Sequence, residues 1–86
     1  MQERRITIKN PTGLHARPAS LLVREAQQMQ SELTIEKDGK TVNLKSLISL
    51  LSLGVAMGDT VLIRAAGADE AEALQRLERV IEDFQS

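Results

Sequence analysis

The sequence predicts an α+β fold, an open-faced two-layer sandwich in which a four-stranded antiparallel sheet is covered on one face by three helices. Three observations lead there. Short stretches alternate apolar and polar residues with period two, longer ones repeat apolar residues at spacings of three and four, and the two kinds follow in the order βαββαβα. Strands with one apolar face and helices with one apolar stripe bury both by stacking as two layers. The opposite face of the sheet, made of Thr, Lys, Glu and Arg side chains, is left to solvent.

Each element carries its own signal. Ile6 and Ile8 alternate with Thr7 and Lys9 and stop at Asn10 and Pro11, a half-buried strand running into a turn. From Ala16 onward, Ala19, Leu22, Val23, Ala26 and Met29 form one face of an amphipathic helix, with Arg24, Glu25, Gln27 and Gln28 on the other. Leu33 and Ile35, then Val42 and Leu44, flank Asp38 and Gly39, a pair suited to the two positive φ angles of a tight hairpin turn. In "SLISLLSLG", Ser46 is a good helix N-cap and Gly54 is placed to end the helix in the left-handed conformation. Within this short helix Leu50 and Leu53 are assigned to the core. "DTVLIRA" reads as the fourth strand, with Val61, Ile63 and Ala65 on one face. "GADEAEALQRLERVIEDF" reads as the last helix, in which Asp69 caps the start and Glu72 reaches back in a capping box. Ala73, Leu74, Leu77, Val80, Ile81 and Phe84 form its buried stripe.

Composition narrows the function. A chain of 86 residues without a linker or composition break is one domain, residues 1–86. Eleven Lys and Arg stand against twelve Asp and Glu, and one Phe is the only aromatic residue, so neither a basic field nor stacking platforms favour nucleic acid. Without cysteine there is no disulfide framework and no thiolate metal site. No apolar run approaches the about 18–20 residues of a membrane span, and the N-terminus lacks the apolar stretch of a secretory signal, so a cytoplasmic protein with no direct membrane insertion is expected. There is no GxxxxGK[ST] loop, no zinc-ligand spacing and no nucleophile with its own base. No cofactor, no metal and no independent enzyme activity is therefore expected.

The only histidine lies in "NPTGLHARPAS" at the start of the first predicted helix. With His15 at the N-cap, Ala16, Arg17 and Pro18 occupy the first turn, where the missing proline N–H has no helical partner to lose. Free amides and the positive end of the helix macrodipole favour an anion beside the imidazole. Arg17 adds a charged fork suited to phosphate oxygens. Gly13 lets the loop turn sharply and keeps bulk away from the ring. An imidazole nitrogen placed there can attack phosphorus. Taken one at a time, a solvated or capping histidine, a surface arginine and ordinary turn residues fit equally well. The conjunction points to an anion site.

"GLHARPAS" at 13–20 resembles the active-site signature of the HPr family, the histidine phosphocarriers of the phosphoenolpyruvate-dependent sugar phosphotransferase system. "GKTVNLKS" at 39–46 and "SLG" at 52–54 resemble its second signature, and the βαββαβα order is the family's. The resemblance implies that His15 accepts a phosphoryl group from phosphorylated Enzyme I and hands it to the A component of sugar permeases, with Ala16, Arg17 and Pro18 completing the site. Such a carrier is a covalent intermediate rather than an enzyme, and nothing in the sequence demands more than a monomer. It further implies ATP-dependent phosphorylation of Ser46 by HPr kinase/phosphorylase, and a catabolite control transcription factor as a further partner. Leu47, Ile48 and Leu51 are assigned to a docking patch, with Ser20 and Arg24 beside it; that all the apolar residues of the short helix are core stays open. Leu, Ile and Leu stand where relatives often carry Met or Phe, Ser49 where a smaller residue is common, and Gln27 in place of a frequent basic residue. Two alternatives remain within the resemblance: a regulatory module acting mainly through Ser46, and a nitrogen-related carrier.

Overall fold

The computed structural model describes residues 1–85. Its elements are β1 (Gln2–Thr7), α1 (Ala16–Gln27), β2 (Glu32–Lys37), β3 (Lys40–Asn43), α2 (Leu47–Ser52), β4 (Thr60–Ala66) and α3 (Glu70–Gln85). The four strands pair antiparallel in the order β1-β4-β2-β3, so the last strand in sequence enters the middle of the sheet. The helices cover one face, giving the α+β open-faced sandwich that the alternating patterns predict.

Register explains the core. Ile6 lies opposite Val61, and Ile63 lies between Arg4 on β1 and Ile35 on β2, with Leu33 opposite Ala65. Val61, Ile63 and Ala65 are fully buried under the helices, joined by Leu22 and Ala26 of α1 and by Leu74, Leu77 and Ile81 of α3. The period-two alternation thus puts one side of β4 wholly in the core. Arg4 falls on the same face at the sheet edge and donates to Glu78 of α3 at 2.6 Å. On the other face Arg64 bridges Glu3 and Glu36 at 3.0 and 2.9 Å, and the Thr7 and Thr60 hydroxyls bond at 2.9 Å. Leu62 departs from this polar face: it is buried there, with Arg5 and Glu36 as its register partners.

The hairpin turn has positive φ at both Asp38 (51°) and Gly39 (82°), and Gly54 takes φ 70° just beyond α2. The start of α3 differs from the capping box read from the sequence. Asp69 turns its carboxylate away from its own helix, accepting the Gln30 and Ser31 amides at 2.9 Å each and the Ser31 hydroxyl. Glu72 points along the helix to Arg76, and the side chain that reaches back is Glu70, to the Gly67 amide at 3.2 Å. Two overlapping acid patterns exist in "GADEAE", and a long-range partner, the loop before β2, selects between them. Val80 and Phe84 are half-buried at the edge of the core, not inside it.

Candidate functional site

The loop from Asn10 to Leu14 is built before the helix that it feeds. The Gly13 amide donates to the Asn10 carbonyl at 3.0 Å, and the buried Asn10 side chain donates back to the Gly13 carbonyl. Its Oδ1 is buried without a partner among the described residues. Leu14, also buried, donates its amide to the Val55 carbonyl at 3.0 Å. Gly13 has φ 60°, and a Cβ there would lie 2.4 Å from the Val55 carbonyl oxygen and 2.8 Å from the Ala56 Cα. The glycine therefore makes room for the 55–56 backbone; the imidazole, to which the sequence reading tied it, is not what it clears.

His15 follows as the N-cap of α1, with extended backbone (φ −78°, ψ −177°) and an exposed ring that makes no capping hydrogen bond. Its carbonyl already accepts the Ala19 amide at 2.9 Å, so the helix begins here. The Ala16 and Arg17 amides have no acceptor among the described residues, and Pro18 has no N–H. A proline at the third helical position also removes one of the two donors an N-cap side chain uses, which makes a capping serine or aspartate less rewarding here. No acidic residue lies in the first turn. Two open amides and the positive end of a twelve-residue helix thus meet beside an exposed imidazole.

A cleft of about 470 Å³ holds His15 between the 10–14 loop and residues 54–57, with Leu14, Ala16, Leu51, Val55 and Met57 in its walls. Arg17 does not line it. It lies with Pro18, Thr12, Leu21 and Phe84 along an adjoining depression of about 300 Å³. The guanidinium is exposed and makes no ion pair among the described residues, so the arm is unclaimed. Ser20, Leu21 and Arg24 continue along the same side of α1, at three-, four- and seven-residue spacings from Arg17.

Ser46 is the N-cap of α2, and its hydroxyl oxygen accepts the Ser49 amide at 3.3 Å. The preceding turn is fixed by Asn43, whose side chain accepts the Lys45 amide at 2.9 Å. Lys45 Nζ donates to the Met29 carbonyl at 2.8 Å, and Gln27 Nε2 donates to the Lys45 carbonyl at 3.0 Å. The start of α2 is thereby tied to the end of α1, and Gln27 is part of the tie.

On α2, Leu50 and Leu53 are buried, Ile48 is 83% exposed and Leu51 is 39% exposed. Leu47, assigned to the docking patch, stands three residues before Leu50 and is half-buried against the core, less open than Ile48 and Leu51. Two exposed apolar side chains were not singled out from sequence: Met57 at 58%, in the wall of the His15 cleft, and Leu21 at 45%, in the Arg17 depression. The signal for Met57 was a lone large apolar residue inside the glycine-bounded "GVAMG".

The chain matches, over residues 2–83, the family model described as the PTS HPr component phosphorylation site. It is 48% identical to the HPr-like protein Crh of Halalkalibacterium halodurans, covering 95% of this chain and 98% of that protein. To the phosphocarrier protein HPr of Mycoplasma pneumoniae it is 42% identical, covering 99% and 98%. Among solved structures, HPr-C-His from Thermoanaerobacter tengcongensis superposes with a TM-score of 0.93 at 49% identity, covering 96% of this chain and 93% of that one. With a family match along nearly its whole length, relatives of both kinds above 40% identity and the same sandwich in a solved relative, this chain belongs to the HPr family.

Proposed function

We propose that the chain is a phosphocarrier of the sugar phosphotransferase system, with His15 as the residue that takes a phosphoryl group from phosphorylated Enzyme I and passes it to the A component of a sugar permease. The observation that carries this reading is the exposed, non-capping imidazole beside the two open amides of Ala16 and Arg17. A ring nitrogen attacks phosphorus as the bond to the donor breaks, and the reverse occurs at the acceptor. Charge spreads over the equatorial oxygens of a loose transition state, so positioned donors do most of the work. The amides meet those oxygens directly, and the unpaired Arg17 guanidinium swings over from its adjoining depression. Ile48 and Leu51, with the half-buried Leu47 between them and the core and with Ser20 and Arg24 on the neighbouring face of α1, form the surface on which partners dock. The chain acts as a covalent intermediate with its partners rather than as an enzyme, in the cytoplasm and as a monomer. The ion-paired, polar outer face of the sheet supports the monomer, and size-exclusion chromatography with light scattering tests it.

Incubation with phosphoenolpyruvate and Enzyme I is expected to add one acid-labile phosphate, seen as a single mass increment, and His15→Ala is expected to abolish it. A wild-type chain that takes up no phosphate from a demonstrably active Enzyme I overturns the proposal.

The similarity to proteins named Crh favours a second, added role in catabolite control. Ser46 is then phosphorylated by HPr kinase/phosphorylase with ATP, and the product binds a catabolite control transcription factor. A phosphate there adds roughly −1.5 to −2 charges, which the helix start tolerates and an acidic partner docking on Ile48 and Leu51 does not. The histidine argues against regulation as the sole role. Treatment with HPr kinase and ATP is expected to modify wild type but not Ser46→Ala, and absence of a serine phosphate removes this role.

A further inference from the structure

We infer that the Lys37–Asp59 ion pair is a positioning device for His15, acting through the loop of residues 54–59 that walls the phosphoryl-transfer cleft. The inference deepens the phosphocarrier reading and rests on it for its kinetic test.

The loop is short and bounded by two glycines at positive φ, Gly54 (70°) and Gly58 (93°), so by itself it has much conformational freedom to lose. One ammonium joins its two ends. Lys37, the last residue of β2, donates Nζ to the Gly54 carbonyl at 2.7 Å and to Asp59 Oδ2 at 2.9 Å. The same Asp59 oxygen accepts the Ala56 amide at 2.8 Å, and the Asp59 amide returns a bond to the Ala56 carbonyl at 3.1 Å. Outside the clasp, the Gly58 amide donates to the Ile8 carbonyl at 2.7 Å and the Ile8 amide to the Asp59 carbonyl at 2.8 Å, seating the loop beside the end of β1.

What this loop then holds is the residue before the imidazole. The Val55 carbonyl takes the Leu14 amide at 3.0 Å, and the Val55–Ala56 backbone occupies the space left by the missing Cβ of Gly13. The chain of contacts runs from Lys37 and Asp59 to residues 54–56, then to Gly13 and Leu14, then to His15. Neither Lys37 nor Asp59 lines the His15 cleft, so the pair acts on the ring through backbone and not by contact with a transferring phosphate. A partly exposed ion pair contributes little to global stability. Reaction rates respond far more steeply to geometry: a misplacement of about 1 Å is enough for a hundredfold loss.

The test uses Asp59→Asn, which keeps an oxygen for the Ala56 amide but discards the charge, and Lys37→Met, which removes both bonds of the ammonium. Each is expected to lower the single-turnover rate of His15 phosphorylation by phosphorylated Enzyme I about three- to tenfold, with the half-saturating Enzyme I concentration unchanged. Lys37→Arg is expected to restore most of the rate, and the double variant Lys37→Met/Asp59→Asn to be no slower than the worse single one. Nitrogen-15 NMR of the unphosphorylated chain is expected to show moved His15 ring resonances in Lys37→Met and unmoved ones in Lys37→Arg. Wild-type rates with unmoved ring resonances overturn the inference, as does a rate loss that only follows loss of the folded fraction. Moved ring resonances in a protein whose wild type accepts no phosphate leave the positioning intact and reject the phosphocarrier reading.

Discussion

The starts of α1 and α3 are built from similar parts and finished in opposite ways. Each follows a glycine pressed against a distant backbone: Gly13 against Val55 and Ala56, Gly67 against Ser31, where a Cβ would lie 2.7 Å from the Ser31 Cα. At α3 the polar groups around the turn are then taken up, Glu70 accepting the Gly67 amide and Asp69 accepting two amides and a hydroxyl from residues 30 and 31. At α1 the N-cap side chain bonds nothing, two amides stay open and the first turn holds no acid. An open helix start forgoes the about 0.5–2 kcal/mol that a cap supplies. That the chain anchors the loop before His15 as firmly as the one before Asp69, yet engages the acids at the start of α3 and leaves α1 with an unbonded imidazole and no acid in its first turn, argues that the opening serves a ligand and is not slack.

Adding a methyl group at each glycine separates anchoring from function. Gly13→Ala and Gly67→Ala are each expected to destabilise by about 2–4 kcal/mol, from backbone strain plus overpacking against main chain that has no room to give. Denaturant unfolding measures this. The two part company in phosphate transfer: per folded molecule, Gly13→Ala slows phosphorylation of His15 because the 55–56 backbone is pushed from Leu14, while Gly67→Ala leaves it unchanged. Equal phosphorylation rates in the two variants break the comparison.

A smaller effect is read in acid. Hydrogen bonds from the Ser31 side chain and then the Gln30 amide hold the Asp69 carboxyl below its ordinary value. The folded chain then releases this proton more readily than the unfolded one, so the stabilisation is complete above the unfolded value of about 4 and is lost as pH falls through the lower folded value. Asp69→Asn is expected to unfold more easily than wild type at pH 7, with the gap closing as pH drops below about 4. A gap that stays constant across that range shows that the carboxylate charge is not what holds the two loops together.

Local chemistry was legible where one stretch of chain decides the outcome. Asp38 and Gly39 give their turn because few residue pairs accept two positive φ angles, and Ser46 caps α2 because its hydroxyl needs only an amide three residues away. The motif around His15 was readable for the same reason: N-cap, first turn and proline lie within four residues. Strand order was not legible, since β4 enters between β1 and β2 through pairings from opposite ends of the chain. The acids of "GADEAE" misled because Ser31, distant in sequence, claims Asp69. How deeply Leu47 sits was not legible, because the six residues of α2 give too few positions to separate a buried face from an exposed one. Gly13 was rightly marked as special but for the wrong neighbour, because the 55–56 backbone comes from the far side of α2.

Closing the open start sharpens the comparison most finely. His15→Asp places a capping carboxylate at the positive end of α1, where one donor, the Arg17 amide, is within reach because Pro18 supplies none. Against His15→Ala as reference, the variant is expected to gain about 0.5–1 kcal/mol, the low end of the capping range, in denaturant unfolding near neutral pH. The gain should shrink at high ionic strength, because part of it is attraction between charge and dipole. Both variants lack the ring and form no phosphohistidine, so the gain in stability is read apart from the carrier chemistry of the imidazole. Equal stability of the two variants means that the first-turn amides are already satisfied, and the anion-binding role given to them fails with it.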